Sequence, residues 1–345
     1  MAKRATLADV ARLAGLSTTT VSMVLNNRPN SRLSEDAAER VRAAAAKLNY
    51  RPNPAARGLR LGKTRTVGFI SDEVTITRYA SAMIRGLLEV AEERDHTVLI
   101  SESGRRADRI SSALELMLDR QTDGIVFGLM GAKLIEVPVI ADVPVVIANA
   151  RSAAGHPCVL PDERQAGYDA ARHLLDRGHR RIAFIGRSEA LVDPALSVTI
   201  GSRYEGLDAA MAEAGVEFVH EVDGRFWEPD LGYAGAREVF EQADVTAIVA
   251  ANDRVAFGVY QAAQERGLGI PDDLSVVSFD DEYLASYLRP QLTTMQIPYL
   301  EMGRMAMELV LDSDPPLETL VPMPLQDRGS VRDLTGEAQT MLSVQ

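Results

Sequence analysis

The sequence predicts a small all-α head built on a helix-turn-helix. A short basic hinge joins it to an α/β body of two doubly wound lobes. Three observations carry this reading. Residues 6–27 read as two short helices around a tight turn. From residue 66 onward, short apolar runs alternate with amphipathic stretches, and the alternation occurs twice. Charge is also divided: the 345-residue chain carries a net −12, yet residues 1–65 hold 13 Lys+Arg against 4 Asp+Glu. That leaves +9 on the head and −21 on the rest, a division expected when one end meets phosphate and the other does not. The chain is 46% hydrophobic and too long for one core.

In the head, Thr6 can cap a first helix, with Asp9 three residues on as its capping-box partner. Leu7, Val10, Ala11 and Ala14 share one face of that helix. Gly15 stands where the helix ends and the chain must turn. Ser17 can cap the second helix, which buries Val21 and either Val24 or Leu25. Thr18, Thr19, Ser22 and Met23 then face outward. A third helix starts at Ser34, with Ala38, Val41, Ala45 and Leu48 on its buried face. Pro52 and Pro54 end the helical pattern. The following Ala55-Ala56-Arg57-Gly58-Leu59-Arg60 is too short to be a stable helix alone, so it reads either as a flexible linker or as a hinge that becomes helical only on DNA. A nearby Gly58…Gly62-Lys63-Thr64 imitates a phosphate loop, but it has three residues between its glycines where four are needed.

In the body, strands are expected at 67–70, 97–100, 124–127 and 143–148, with helices at 80–94 and 106–120. A second run follows, with helices at 164–177, 203–214, 231–242 and 255–266. Its strands fall at 181–186, 218–222, 245–250 and 275–279. Ligands of such folds bind at the carboxyl ends of the strands. That rule selects Ser71, Asp72 and Glu73, Asn149, Asn252 and Asp253, and Asp280 and Asp281, while Arg203 opens the helix after Gly186. Carboxylates accept from adjacent hydroxyls, Asn donates and accepts, and Arg forks onto oxygens, so the set suits a sugar. Trp227, the only tryptophan, offers either a flat face for a sugar ring or a piece of core. Asp253 could equally be a helix cap.

Several classes are disfavoured. The single Cys158 excludes a disulfide within the chain, and no zinc-binding pattern occurs, so no metal or cofactor is expected. His173 and His179 read as the solvated end of a helix. No Gly-x-Gly-x-x-Gly follows the first strand and no nucleophile–His pair is evident, so no enzyme is expected. No amino-terminal run resembles a signal peptide and no stretch approaches about 18 apolar residues, which leads to the expectation of a cytoplasmic protein with no membrane partner.

The run Thr6 to Asn26, the step Tyr50-Arg51-Pro52-Asn53 and the segment Ala56-Arg57-Gly58-Leu59 resemble the headpiece and hinge of the lactose-repressor and galactose-repressor family of bacterial transcriptional regulators. The resemblance continues through Gly178-His179-Arg180-Arg181-Ile182-Ala183-Phe184-Ile185-Gly186, Ala251-Asn252-Asp253, Ser278-Phe279-Asp280-Asp281 and Leu292-Thr293-Thr294. It implies a periplasmic-binding-protein-like core and a homodimer on double-stranded operator DNA. It also implies a small-molecule effector, a sugar or sugar derivative, held between the lobes. DNA contacts are implied at Thr6, Ser17, Thr18, Thr19, Thr20, Ser22, Met23, Asn26, Tyr50, Asn53, Arg57, Leu59 and Arg60. Leu59 takes the place of a wedge that unstacks the central base step in the minor groove. Effector contacts are implied at Tyr79, Asn149, Arg203, Trp227, Asn252 and Asp280, and Asp72 joins them from the strand-end rule. Met23 stands where the family often has an arginine that reads guanine, so the operator should differ from the lactose type, with thymine methyls opposite Met23 or the threonines. Ile297 stands near a polar effector contact of the family, so effector specificity does not carry over.

The expected domains are a headpiece over 1–53, a hinge over 54–65, a core over 66–334 and a tail over 335–345. The tail has no leucine heptads, which favours a dimer over a tetramer. The alternative function is a cytoplasmic solute-binding protein with no regulatory role, which would account for the body and leave the basic head unexplained.

Overall fold

The computed structural model describes residues 5–25, 33–51, 63–77, 80–104 and 106–335. Its contacts divide the chain into two units, Met1–Arg65 and Thr66–Gln345.

The head consists of α1 (Leu7–Ala14), α2 (Thr18–Leu25) and α3 (Glu35–Lys47). Thr6 and Asp9 form the expected capping box, and Gly15 closes α1 in the left-handed conformation at φ 67°. A side chain there would be strained and would press on the Arg40 guanidinium, which donates to the Ala14 carbonyl at 2.5 Å. Val10, Ala11, Ala14, Val21, Val41, Ala44 and Ala45 form the core, with Leu7, Leu16, Val24, Leu25, Leu48 and Tyr50 packed around it. Both Val24 and Leu25 therefore pack inward. On α3 the buried face runs through Ala37 and Ala44 in place of Ala38.

The second unit holds two six-stranded sheets. The first lobe contributes β1 (Thr66–Ser71), α4 (Ala82–Glu93), β2 (Thr97–Glu102), α5 (Ala107–Asp119), β3 (Gly124–Gly128), β4 (Leu134–Ile135), β5 (Val145–Ala148), β6 (Arg151–Ser152) and β7 (Cys158–Pro161). The second contributes α6 (Glu163–Asp176), β8 (Ile182–Arg187), α7 (Ile200–Glu213), β9 (His220–Asp223), α8 (Pro229–Gln242), β10 (Ala247–Ala250), α9 (Asp253–Arg266), β11 (Ser275–Asp280), α10 (Tyr283–Tyr287) and β12 (Thr293–Gln296). The chain then returns with α11 (Tyr299–Leu311) and β13 (Glu318–Val321), and crosses again to β14 (Leu325–Gln326). The sheet orders are β13-β7-β5-β3-β1-β2 and β14-β12-β11-β10-β8-β9, with β4 and β6 paired separately. Pairing is parallel except between β12 and β14.

Each sheet is covered on both faces, so its strands read as continuous apolar runs rather than alternating ones. In the first lobe Val67, Phe69 and Val126 face one cluster while Ile70, Ile125 and Phe127 face the other. In the second, Ile182 and Phe184 face one cluster and Ala183 and Ile185 the other.

The expectation of two successive lobes needs one correction. Helix α11 lies on the first lobe, where Met302, Ala306, Met307 and Val310 complete the cluster that α4 leaves open. The two helices touch through glycine: a Cβ at Gly86 would lie 1.9 Å from the Leu300 carbonyl oxygen, and one at Gly303 2.0 Å from that of Met83. Three passes of chain therefore join the lobes. His173 and His179 are also corrected, since both are buried. The His179 ring nitrogens bond with the Thr246 hydroxyl at 2.9 Å and the Arg332 carbonyl at 3.1 Å, and burial pushes its pKa down.

Candidate reading helix and ligand cleft

Helix α2 is held by Val21 on one side and by its cap at the start. The Ser17 hydroxyl accepts from the Thr20 amide at 3.1 Å and pairs with the Thr20 hydroxyl at 2.8 Å. Thr18 and Thr19 are exposed, and Thr20, Ser22 and Met23 are half-buried. Two threonines and a methionine thus stand on or beside the solvent side, with Ser17 and Thr20 tied to each other at the helix start. Such a face can donate to and accept from base edges and touch thymine methyls. The Thr6 hydroxyl is exposed and bonded to Asp9 at 2.7 Å. The Tyr50 ring packs against the head core. Asn26, Asn53, Arg57, Leu59 and Arg60 lie outside the described residues.

The cleft forms where strand ends of both lobes meet. Helix α6 begins at Glu163 and α7 brings Arg203 in its first turn, so two helix starts converge beside the end of β10. Arg203 is 2% exposed. Its Nε donates to Glu163 Oε2 at 2.6 Å, its Nη2 to Oε1 at 2.7 Å and its Nη1 to the Ala251 carbonyl at 2.7 Å. The guanidinium lies 4.1 Å from the Phe279 ring centroid and 5.5 Å from that of Trp227. Three of its five N–H donors are used, which leaves two for a ligand. Burial opposes its charge, and Glu163, together with Asp280 and Tyr204, outweighs that and raises its pKa.

Asp280 ends β11 at φ 105°, followed by Asp281 at φ 54°. Two consecutive non-glycine residues at positive φ cost about 1–3 kcal/mol each, a kind of strain that gathers at functional sites. Burial pushes the Asp280 carboxyl up to about 7, against the pull of Arg203. No protein donor bonds to this carboxylate among the described residues. Asp281 is held by Arg328 at 2.6 Å and Gln296 at 3.0 Å.

A cavity of about 260 Å³ contains Arg203, Asp280, Asn149, Trp227, Glu163 and Arg225, with Ser197 and Thr199 as further polar groups. Met130, Leu191, Leu196, Ile200, Ile297 and Tyr299 supply apolar wall. The Asn149 amide nitrogen donates to the Leu129 and Met130 carbonyls, both at 3.0 Å, and its oxygen has no protein partner among the described residues. Trp227 is half-buried core and cleft wall at once: its indole N–H reaches the Gly186 carbonyl at 2.9 Å and the Gly224 carbonyl at 3.0 Å. The segment 188–199 reaches from the second lobe to the first. There the Val198 amide donates to the Ala132 carbonyl at 2.5 Å and the Leu134 amide to the Pro194 carbonyl at 2.8 Å.

Two expected contacts lie outside this lining. Asp72 is buried and accepts from the Met130 amide at 2.9 Å, with Lys133 at 3.7 Å. It thereby sets the loop that forms one wall, and burial raises its pKa. Asn252 caps α9: its amide oxygen accepts from the Val255 amide at 2.9 Å and its nitrogen donates to the Trp227 carbonyl at 3.3 Å. Asp253 is not the cap; buried, it accepts from Ser278 at 2.5 Å, Thr294 at 2.8 Å and the Glu282 amide at 2.6 Å. Tyr79 lies outside the described residues. Sequence reasoning missed Glu163, although its place just past β7 meets the same strand-end rule that selected the others.

Among the described residues no cluster could hold a metal ion and no helix is long and apolar enough to cross a membrane.

Residues 6–53 match the family described as bacterial regulatory proteins, lacI family, and residues 171–331 match the periplasmic binding protein-like domain. The chain is 35% identical over 311 residues to the catabolite control protein A of Priestia megaterium, covering 88% of this chain and 91% of that protein. It is 32% identical over 339 residues to the ribose operon repressor of Escherichia coli strain K12, covering 94% and 99%. The lac repressor dimer bound to operator and the anti-inducer ONPF superimposes with a TM-score of 0.73 at 24% identity, over 96% of this chain and all of that one, a likeness of fold. With this identity spanning head and body alike, the chain belongs to the lacI family of bacterial regulatory proteins.

Proposed function

We propose that this protein is a transcriptional repressor that binds operator DNA through α2 and changes its operator affinity when a sugar or sugar derivative occupies the cleft. The observation that carries this is α2, capped by Ser17, pinned by Val21 and hydroxyl-rich on its open side, within an amino-terminal stretch, residues 1–65, of net charge +9. The catabolite control protein and ribose repressor relatives support regulation of genes, and structures of relatives with cellobiose, glucose and sucrose support a sugar in the cleft. The reading includes a cytoplasmic homodimer, with no catalysis, and the domain limits 1–53, 54–65, 66–334 and 335–345. DNA contacts are assigned to Thr18, Thr19, Ser22 and Met23, with the hinge residues Arg57, Leu59 and Arg60 in the minor groove. Effector contacts are assigned to Arg203, Asp280, Asn149 and Trp227. Asp72 and Asn252 serve behind them, one through the 130 loop and the other through Trp227.

Coupling of this kind is typically about 1–3 kcal/mol. The test is fluorescence anisotropy on DNA upstream of the gene itself and of its neighbours, with and without a panel of sugars. Specific binding that shifts roughly 5- to 150-fold with one of them is expected. Absence of sequence-specific binding across all such fragments would remove the proposal.

A further inference from the structure

The cleft carries two ionisable side chains that no protein group pairs within ion-pair distance, among the described residues. Arg203 and Glu163 neutralise each other through their fork. Asp280 has no protein donor, and Arg225 has no carboxylate within 4.0 Å, among the described residues. Both line the same cavity, yet they are not within ion-pair distance of each other.

Arg225 stands on a short, anchored loop. The Gly224 amide donates to the Arg187 carbonyl at 3.1 Å, the Trp227 indole N–H closes back on the Gly224 carbonyl at 3.0 Å, and the Glu228 amide donates to the Phe226 carbonyl at 2.9 Å. The guanidinium lies 4.8 Å from the ring centroid of Phe226, which is itself 72% exposed. An arginine set on an aromatic face keeps its planar fork available to a carboxylate or phosphate.

A neutral polyol would satisfy Asp280 and the remaining Arg203 donors and offer Arg225 hydroxyl oxygens but no counter-charge. A ligand with hydroxyls at one end and an anionic group at the other would meet all three. The apolar wall of Leu191, Leu196 and Ile297 offers no place for a second charge, and about 260 Å³ is room enough for a sugar ring with its substituent. We propose that Arg225 is a specificity-determining residue that reads a carboxylate or phosphate on the effector, which is therefore an acidic sugar derivative. The same guanidinium repels amino sugars. This rests on the cleft being the effector site.

The test titrates the full chain with matched pairs and follows the fluorescence of Trp227, the only tryptophan, with calorimetry alongside. The pairs are galactose and galacturonate, glucose and glucuronate, glucose and glucose 6-phosphate, and ribose and ribose 5-phosphate. At least one acidic member should bind about tenfold tighter than its neutral partner, at the low end for a charged hydrogen bond because Arg225 meets solvent. The uronate and phosphate arms tell the two anions apart. Arg225→Gln should bring that ratio close to one, Arg225→Lys should keep part of it, and added salt should lower it in the unmodified chain. Neutral members that bind as tightly as every acidic one, or a ratio that survives Arg225→Gln, would overturn the role of Arg225 and leave the cleft reading standing. No binding by any member would overturn both.

Discussion

Head and body present their recognition groups in opposite ways. Thr18 and Thr19 stand in water on an eight-residue helix held by the buried Val21, by Val24 and Leu25 packed beside it, and by one cap. Arg203 is 2% exposed and committed on three sides before any ligand arrives. The head therefore leaves desolvation to the moment of DNA binding, and a change at Thr18 or Thr19 should cost affinity with little cost to folding. The body has met that cost during folding, so its groups are preorganised and a change behind them should cost stability as well as affinity.

The largest effect that could break this contrast lies at Glu163. Glu163→Ala leaves a buried guanidinium without its counter-charge, which costs about 3–5 kcal/mol. The body's urea midpoint should fall accordingly. The double variant Glu163→Leu with Arg203→Met should recover most of the lost stability while losing the effector response, because an apolar pair of similar volume replaces the buried ions. If Glu163→Ala leaves the midpoint unchanged, Arg203 is not preorganised by that fork and the contrast fails.

Next is the head core. Val10 is fully buried in a unit small enough to be marginal by itself. Val10→Ala should cost about 2 kcal/mol. In calorimetry the head transition should move down while the body transition and ligand binding stay. A single merged transition that moves as one would show that the two regions do not fold as separate units.

The head was legible in the sequence because its signals are local: Thr6 with Asp9, Gly15, and Ser17 each act within four residues. The strands were legible for a related reason. Sheets covered on both faces write short apolar runs such as 67–70 and 124–127 directly into the chain. Three things were not legible. The apolar face of α11 fits either lobe, and the packing of Gly86 on Leu300 and of Gly303 on Met83 shows which one it completes. Glu163 and Arg203 lie 40 residues apart, so nothing local announces their fork. Asn252 and Asp253 both suit a helix start, and which one caps depends on Ser278 and Thr294 arriving from two other strands to claim the aspartate.

Another effect separates the regions by pH. Burial holds the Asp280 carboxyl at about 7 in the folded chain, against an ordinary 3.8. Between those values the folded state keeps a proton that the unfolded state has lost. The stability this group contributes is full below its unfolded value and is lost as pH rises through 7. Asp253 and Asp72, also raised by burial, act in the same direction. Asp280→Asn should therefore flatten, without abolishing, the decline of the body's midpoint between pH 4 and 7. The head midpoint should keep the same pH profile in both proteins. A body curve of unchanged slope would mean that Asp280 is ionised throughout.

The smallest effect is the most discriminating for the head. Ser17 has two assignments, as cap of α2 and as a DNA contact, and they respond differently to substitution. Ser17→Ala removes the oxygen that accepts from the Thr20 amide and should cost about 1 kcal/mol of head stability. Ser17→Asp keeps an oxygen in that place, and aspartate is as good a cap as serine, so the head midpoint should stay close to the unmodified value. It also sets a carboxylate where phosphate would approach, so operator affinity should fall well beyond the loss seen with alanine, most steeply at low salt. Measured together by calorimetry and anisotropy, the two variants divide the roles. A stable Ser17→Asp head that binds operator as well as the unmodified chain would leave Ser17 only the cap, and would confine reading to Thr18, Thr19, Ser22 and Met23.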